Sequence, residues 1–172
     1  MAKTVTKKFT LLDIVTLSEY FSRDDVKSRM NCLSIQAKWA IKKNCNAFNS
    51  FTNTYYDVRN DLIENIRKEY FSDEKSEECE VLQKDDAGNE ILDENGDPLK
   101  TMDRQVKQEY MRDYQSEISK SDQKLQEILS DTNEVEIVVI DLDKEIENIP
   151  ESHQFDLTME DLDVLNILNI NE

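Results

Sequence analysis

Apolar side chains recur at alternating steps of three and four residues through much of the chain, which is the spacing of one face of an α-helix. The pattern predicts a first helix over residues 11–21, capped by Thr10, with Asp13 close to the capping-box position. It also predicts a long second helix over residues 24–71 and a third helix over residues 102–129. At about 1.5 Å per residue the second helix would extend roughly 70 Å, so it needs a partner helix.

The predicted second helix has one weak segment, residues 44–54, which is rich in Asn, Ser and Thr. A kink or a split into two helices is therefore open there. Asn44 falls on the apolar stripe between Ala40 and Phe48. A buried Asn needs hydrogen-bond partners, and in coiled coils such a residue fixes the register of the helices.

Two segments predict β structure. Residues 80–99 contain both glycines of the chain and two turn signals, so we expect a small β-hairpin or a structured loop there. The turn signals are Gly88-Asn89 and Asn95-Gly96. Residues 135–142 form a β-branched run that predicts a strand. This strand needs a pairing partner, either the 80–99 hairpin or another molecule.

The remaining segments complete the predicted fold. Residues 72–80 are charged and predict a loop, and Thr158 is expected to cap a short final helix with Asp161 at the capping-box spacing. The predicted fold class is mainly α with a small β element (α+β): an elongated antiparallel long-helix pair, a β-hairpin or strand, and a short C-terminal helix. The expected domains are residues 1–130, with the hairpin inserted near 80–100, and an acidic strand-plus-helix segment over 131–172. No internal repeat is expected.

Charge is distributed unevenly. The net charge of the 172 residues is −17, yet residues 1–60 carry ten Lys/Arg against five Asp/Glu, and residues 61–172 carry eleven against 33. Such asymmetry can steer a polar partner or favour head-to-tail contact between copies, although acidic residues also simply keep a thin helical protein soluble. No run of 18 apolar residues occurs and no h-region follows the start, so we expect neither a membrane span nor a signal peptide.

The candidate chemistry is sparse. The acidic turn beginning at Asp93 lacks the EF-hand pattern, because its sixth position is Pro98 and its twelfth is Arg104. The single histidine, His153, cannot build a zinc site with cysteines scattered at positions 32, 45 and 79. The three cysteines are widely spaced and indicate a reduced, cytosolic chain. They are Cys32, Cys45 and Cys79. We therefore expect no catalytic residues, no metal and no cofactor.

A small basic patch could contact acidic partners. Lys38, Lys42 and Lys43 fall close together on the second helix, with Trp39 beside them. This patch is small for a duplex-binding protein whose sequence is acidic overall, so direct nucleic-acid binding is not expected. The partner of this patch is at least as well explained as an acidic protein surface, such as the tail of a neighbouring copy. The acidic half suggests a further hypothesis: rows of carboxylates can imitate the charges of a nucleic-acid backbone and so block a DNA- or RNA-binding protein.

Four segments stand in a definite order along the chain. They are Ala40-Ile41-Lys42-Lys43-Asn44, Tyr56-Asp57-Val58-Arg59-Asn60-Asp61-Leu62, the Asp85-Asp86-Ala87-Gly88-Asn89 turn and the strand at 135–142. This order of elements resembles a group of small uncharacterised proteins of tailed bacteriophages, encoded among structural and packaging genes. The resemblance covers roughly residues 35–172, and the chain departs from the group in a longer hairpin and a more acidic tail. It implies a role in the virion or its assembly, and it supplies no catalytic residues.

The long apolar stripe and the unpaired strand predict a non-enzymatic protein–protein interaction protein acting as a multimer. The resemblance implies that it is a virion or assembly component, in the virion or the host cytoplasm. Its expected partners are phage structural proteins and copies of itself, with no membrane. The alternative is an acidic, nucleic-acid-mimicking inhibitor of a host DNA- or RNA-binding enzyme. The third hypothesis for the function is an enzyme. The predicted interface residues are Leu33, Asn44, Phe48, Phe51, Tyr55, Leu62, Tyr110, Tyr114, Ile118, Val135, Ile137 and Val139.

Overall fold

A computed structural model describes residues 3–153 and 156–169 of the chain. Its elements, in chain order, are β1 (Thr4–Thr10), α1 (Leu11–Ser22), α2 (Asp24–Arg29), a 3₁₀ turn (Met30–Cys32), α3 (Ile35–Tyr70), β2 (Ser76–Leu82), β3 (Lys100–Val106), α4 (Met111–Ser130), β4 (Thr132–Val138), α5 (Leu142–Glu147), a second 3₁₀ turn (Glu151–His153) and α6 (Met159–Asn166). Helix occupies 57% of the structure. The predicted mainly α fold with a small β component is confirmed.

Both predicted capping boxes are present. The Thr10 hydroxyl accepts from Asp13 N at the start of α1, and the Thr158 hydroxyl accepts from Asp161 N at the start of α6. Each aspartate accepts a hydrogen bond from the backbone N–H of its capping threonine. These reciprocal bonds satisfy N–H groups that a helix start otherwise leaves without partners, so both helices begin where the sequence predicted.

The long predicted helix is divided, but not within residues 44–54, where a kink or split had been left open. Residues 44–54 are continuous α-helix, whereas the break lies between the 3₁₀ turn and Ile35. Ser34 explains this position, because its hydroxyl accepts from Ala37 N and so caps the start of α3. The prediction of one continuous helix over residues 24–71 is therefore wrong in the part that precedes Ile35.

Two predicted boundaries are wrong around the hairpin. Residues 76–80 were expected to be loop and residues 102–106 helix, yet β2 and β3 pair antiparallel from Ser76↔Val106 to Leu82↔Lys100. The apolar pattern of residues 102–129 does not distinguish the strand, because only Val106 of β3 is buried. Helix α4 begins instead at Met111, after the strand has ended.

The strand predicted over residues 135–142 is β4, which runs from Thr132 to Val138, so both predicted ends are wrong. The β4 strand also has a different partner from the two that were predicted. It pairs antiparallel with β1, from Thr4↔Val138 to Thr10↔Thr132. No strand was predicted for residues 4–10. One face of this sheet carries the apolar side chains of both strands and packs into the core, while the other face carries exposed Thr, Lys and Glu side chains.

Contacts divide the chain into two compact units. Unit 1 contains the residues up to Asp57 and those from Gln126 onward, and unit 2 is Val58–Leu125. The predicted domain boundary at residue 130 therefore does not coincide with a boundary between these units. None of the helices in the described part of the chain is both long and apolar enough to span a bilayer.

Unit 1 contains the hydrophobic core. The inner face of the β1–β4 sheet packs with α1, the first part of α3 and two leucines in and just after α6. The most deeply buried apolar residues are Ile14, Val26, Phe48, Ile137, Leu165 and Leu168. Phe9 and Phe48 pack edge to face with their ring centroids 5.8 Å apart, a preferred aromatic geometry.

Candidate interaction surface

Unit 2 has almost no core of its own. The structure describes all of its residues, yet only Tyr70 and Val106 among its hydrophobic residues are buried. Six large hydrophobic side chains of this unit are exposed, which is the opposite of what an isolated domain of this size requires. They are Ile63, Leu82, Ile91, Leu92, Leu99 and Met102.

An open groove lies between the two helices of unit 2, and we call it the unit 2 groove. The start of α4 contacts the end of α3, where the Tyr114 ring lies 5.4 Å from the Tyr70 ring and 5.9 Å from the Phe71 ring. Beyond that contact the helices leave a space of about 1170 Å³. Its apolar lining is Leu62, Ile63, Ile66, Phe71, Tyr114, Ile118 and Leu125.

The sequence of α4 explains why this face is apolar. Tyr114, Ile118, Ser121 and Leu125 are spaced three or four residues apart, so they form one stripe along the helix. All four residues line the groove. Ser121 occupies the stripe with a small side chain, which leaves room there that a larger residue would fill.

The walls of the groove carry charges of both signs. Lys68 is paired with Glu64 at 2.8 Å, and the Arg104 side chain donates to the carbonyl oxygen of Phe71. The side chains of Arg59 and Arg67 form no hydrogen bond or ion pair with any residue that the structure describes. Both lie on the α3 wall and are exposed.

Asp122 lines the α4 wall of the groove, is exposed, and likewise has no partner among the described residues. The two walls thus present opposite charges that the unit itself leaves unpaired.

The predicted interface residues separate into two groups. Leu62, Tyr114 and Ile118 line the unit 2 groove. Tyr110 is not among the lining residues, and the Lys75 ammonium lies 5.8 Å from its ring centroid. The others belong to unit 1, where Phe51 and Tyr55 are half-buried against the core and the rest are buried within it. The buried members are Leu33, Asn44, Phe48, Val135, Ile137 and Val139.

Asn44 was predicted to be a buried residue that needs hydrogen-bond partners, and the structure shows which groups those partners are. It is 1% exposed, and its amide nitrogen donates to Val138 O at 2.9 Å while its amide oxygen accepts from Val138 N at 2.7 Å. This pair of bonds reproduces what a neighbouring strand would supply at the edge of β4. The partner of the buried Asn is therefore a strand of the same chain, and not a second helix as in a coiled coil.

The β4 strand was expected to be available for pairing between subunits, and one of its two edges is already paired within the chain. One edge pairs with β1, and Asn44 occupies the Val138 position of the other edge. Val135 and Ile137 point into the core and are 3% and 0% exposed. Their side chains stabilise unit 1 and are not accessible to a partner.

The strongest buried electrostatic cluster surrounds Asp161 of α6. Its carboxylate is fully buried and accepts from Arg29 Nε at 2.7 Å, from the Tyr20 hydroxyl at 2.7 Å and from the backbone N–H and hydroxyl of Thr158. Burial opposes ionisation, but the bonds from Arg29, Thr158 and Tyr20 outweigh it and hold the pKa of Asp161 below its usual range. Burial, followed by the hydrogen bond to Asp161, raises the pKa of Tyr20 to about 12.

This cluster is saturated with internal partners. Arg29 also donates to Asp25 at 2.9 Å, and its two carboxylate partners raise its pKa. Both oxygens of Asp161 accept from side chains of the same chain, so the arrangement suits attachment of α6 to α1 and α2. It is a structural ion pair, which sequence spacing could not reveal because its members are 132 residues apart.

The other chemically active side chains are separated in the structure. His153 contacts Asp156 at 2.7 Å, and the three cysteines are free and half-buried. Burial raises the pKa of the Cys45 thiol, which makes it a weaker nucleophile. In the basic patch, the Lys43 ammonium lies 5.5 Å from the Trp39 ring centroid. The described residues contain no group of three His, Cys, Asp or Glu side chains that could hold a metal ion.

The hairpin contains a short internal repeat, so the prediction that the chain has no internal repeat is wrong. Asp85-Asp86-Ala87-Gly88-Asn89 and Asp93-Glu94-Asn95-Gly96-Asp97 form matching turns eight residues apart. In each turn the first Asp exchanges backbone bonds with the fourth and fifth residues, and the Gly has a positive φ, 85° at Gly88 and 86° at Gly96. The repeated Asp-x-x-Gly spacing in the sequence could have revealed these two turns.

The first carboxylates of these turns have structural partners. Asp85 Oδ1 accepts from Asn89 N and Ala87 N, and Asp93 Oδ1 accepts from Asp97 N and Asn95 N. The backbone N–H groups, that of the fifth residue foremost, lower the pKa of both aspartates. These acids therefore stabilise the turns that end the hairpin.

Comparison of the chain with protein-family models, with curated proteins and with solved structures gives no match.

Proposed function

We propose that this chain is a non-enzymatic protein–protein interaction protein, a bacteriophage virion or assembly component that acts as a multimer. The observation that carries the proposal is the unit 2 groove, which exposes an apolar lining in a unit that buries only Tyr70 and Val106 among its hydrophobic residues. Contiguous apolar surface of this kind marks interaction sites in folded proteins. The phage context rests on the resemblance in the order of elements and in the segments beginning at Ala40, Tyr56 and Asp85.

The side-chain chemistry agrees with a binding role. The most strongly perturbed buried carboxylate, Asp161, is occupied by Arg29, Tyr20 and Thr158. A general acid or base needs an oxygen directed toward a substrate, and both oxygens of Asp161 are held by these internal donors. The groove offers apolar area and exposed charges, which are the components of a protein interface.

The experiment is affinity capture of the tagged full-length chain from infected cells, read by mass spectrometry. The wild type should recover capsid, portal or tail proteins at a fixed ratio. Leu62→Asp/Ile118→Asp should lose them, because two charges in the groove oppose desolvation. The matched control, Asn65→Asp/Ser116→Asp, adds the same charge to exposed positions outside the groove lining and should retain them. Equal recovery by the groove variant and the wild type, with helicity unchanged, would contradict the proposal.

The second candidate is an acidic inhibitor of a host nucleic-acid enzyme. The observation that favours it is the excess of 33 acidic over eleven basic residues in positions 61–172. This candidate predicts capture of a nuclease or polymerase, competition by DNA or RNA, and binding that weakens as salt is added. Binding to such an enzyme that is unchanged in high salt would remove the basis of mimicry.

A further inference from the structure

We propose that the occupant of the unit 2 groove is the same groove of a second copy of this chain, so that α3 and α4 of two copies form one four-helix core. This inference rests on the proposed function and names the partner of its surface. Three properties of the groove support it: its size, its apolar pattern and the charges on its walls.

The size of the groove favours helices over a small molecule. Its volume of about 1170 Å³ exceeds the roughly 300–1,000 Å³ of most ligand pockets. Its α3 wall runs from Arg59 to Phe71, which is about 18 Å of helix. An open trough of that length between two helices matches the side-chain layer of further helices packed across it.

The apolar pattern is self-complementary. Each wall presents residues at helical spacing, Leu62, Ile63 and Ile66 on α3 and Tyr114, Ile118 and Leu125 on α4. A two-fold axis across the groove places the α3 wall of one copy against the α4 wall of the other, and the reverse contact follows by symmetry. Four stripes of this kind facing one another form the core of a four-helix bundle.

The charges on the groove walls favour the same contact, with the α3 wall of one copy against the α4 wall of the other. Arg59 and Arg67 lie on the α3 wall and Asp122 lies on the α4 wall, and none of the three has an ionic partner among the described residues. Contact between the α3 wall of one copy and the α4 wall of the other brings these opposite charges together twice. Charge pairs of this type fix orientation and discriminate between partners.

The test measures the mass of the purified full chain by sedimentation and by light scattering, from about 1 to about 100 µM. The wild type should have twice the 20.2 kDa mass of one chain at the upper concentrations. Arg59→Glu/Arg67→Glu should raise the dissociation constant by about tenfold or more, because glutamates then face Asp122. Asp122→Arg should do the same, because it places three cationic residues together. Both changes are at exposed positions, so circular dichroism should show unchanged helicity.

Mixing the two variants provides the decisive arm. In a mixed pair the glutamates of one copy face the arginine introduced at position 122 of the other copy. The native arginines of that second copy face the native Asp122 of the first, so every contact is between opposite charges. The mixture should therefore recover the doubled mass that neither variant reaches alone. Repulsion within one chain could not be relieved by mixing, so this arm separates a contact between copies from an effect inside unit 2.

The outcomes distinguish the two proposals. A wild type that stays at single-chain mass at every concentration overturns the second-copy inference, and so does a mixture that does not associate. If capture of phage proteins remains dependent on Leu62 and Ile118 in that case, the proposed function stands with a different occupant. If the mass doubles but Leu62→Asp/Ile118→Asp still captures phage proteins, the second-copy inference stands. The proposed function then loses the groove as its supporting observation.

Discussion

Replacing Asp161 with Asn should destabilise unit 1 strongly, because the carboxylate is fully buried and meets the Arg29 guanidinium with two hydrogen bonds. An amide has one acceptor oxygen in place of two, and its NH₂ group faces donors from Arg29, Tyr20 or Thr158. Removing one partner of a fully buried ion pair costs about 3–5 kcal/mol. Arg29 is 23% exposed and keeps Asp25 as a partner, so we expect the low end, about 3 kcal/mol.

The assay is urea denaturation followed by the fluorescence of Trp39, the single tryptophan, which lies in the part of α3 that belongs to unit 1. Asp25→Asn is the matched control, because it removes the same charge from the other carboxylate bonded to Arg29. The side chain of Asp25 is 52% exposed, so its loss should cost much less than the loss of the Asp161 carboxylate. Equal losses in the two variants would refute the argument that burial makes Asp161 decisive.

The pH dependence has a definite sign. Because the pKa of Asp161 is lower in the folded state than the unfolded value of about 3.9, its stabilising contribution is complete above that pH. The contribution is lost as pH falls below about 4 and approaches the folded pKa. The difference in unfolding free energy between wild type and Asp161→Asn should therefore be constant near neutrality and shrink in acid. A difference that stays constant down to about pH 2 would contradict the ionised carboxylate as its source.

Three further outcomes are expected. Asn44→Ala should lower the unfolding free energy by about 2 kcal/mol in the same urea assay, because it leaves two backbone groups of β4 without partners. The control, Asn46→Ala, is at an exposed position and should change the unfolding free energy by less than about 0.5 kcal/mol. Phe48→Ala should cost about 3–5 kcal/mol by the same measurement, since the ring is fully buried. Gly88→Ala and Gly96→Ala should each cost about 1–2 kcal/mol locally, seen as faster amide exchange at residues 83–99, because a Cβ strains a residue at positive φ.

Local signals allowed much of the fold to be predicted. The capping boxes at Thr10 and Thr158 are set by residues three apart, so the starts of α1 and α6 could be located from the sequence. The β-branched composition likewise identified β4, although its partner was not identified. These features depend on neighbouring residues, which a sequence shows directly.

The errors concern contacts that are distant in sequence. The β1 strand is short, exposed on alternate residues and identified mainly by its pairing with β4. Val135 and Ile137 were expected at a subunit interface because their partner in β1 was not recognised. Leu62, Tyr114 and Ile118 were predicted as interface residues and line the groove, but no groove was predicted. The apolar stripe of α3 continues from unit 1 into unit 2 without a change of pattern. Periodicity gives the apolar face of a helix and cannot say what covers it.

The pairing of β1 with β4 has a consequence for the order of events during synthesis. Thr10 pairs with Thr132 and Thr4 pairs with Val138, so the sheet closes only after more than 120 further residues have been added. Throughout that interval α1 and the first part of α3 have no sheet to cover them, because β4 and the leucines at 165 and 168 are still missing. Contacts this distant in sequence close slowly. The nascent chain therefore exposes the apolar residues of α1 until β4 has left the ribosome, which makes this the period when a chaperone would bind it.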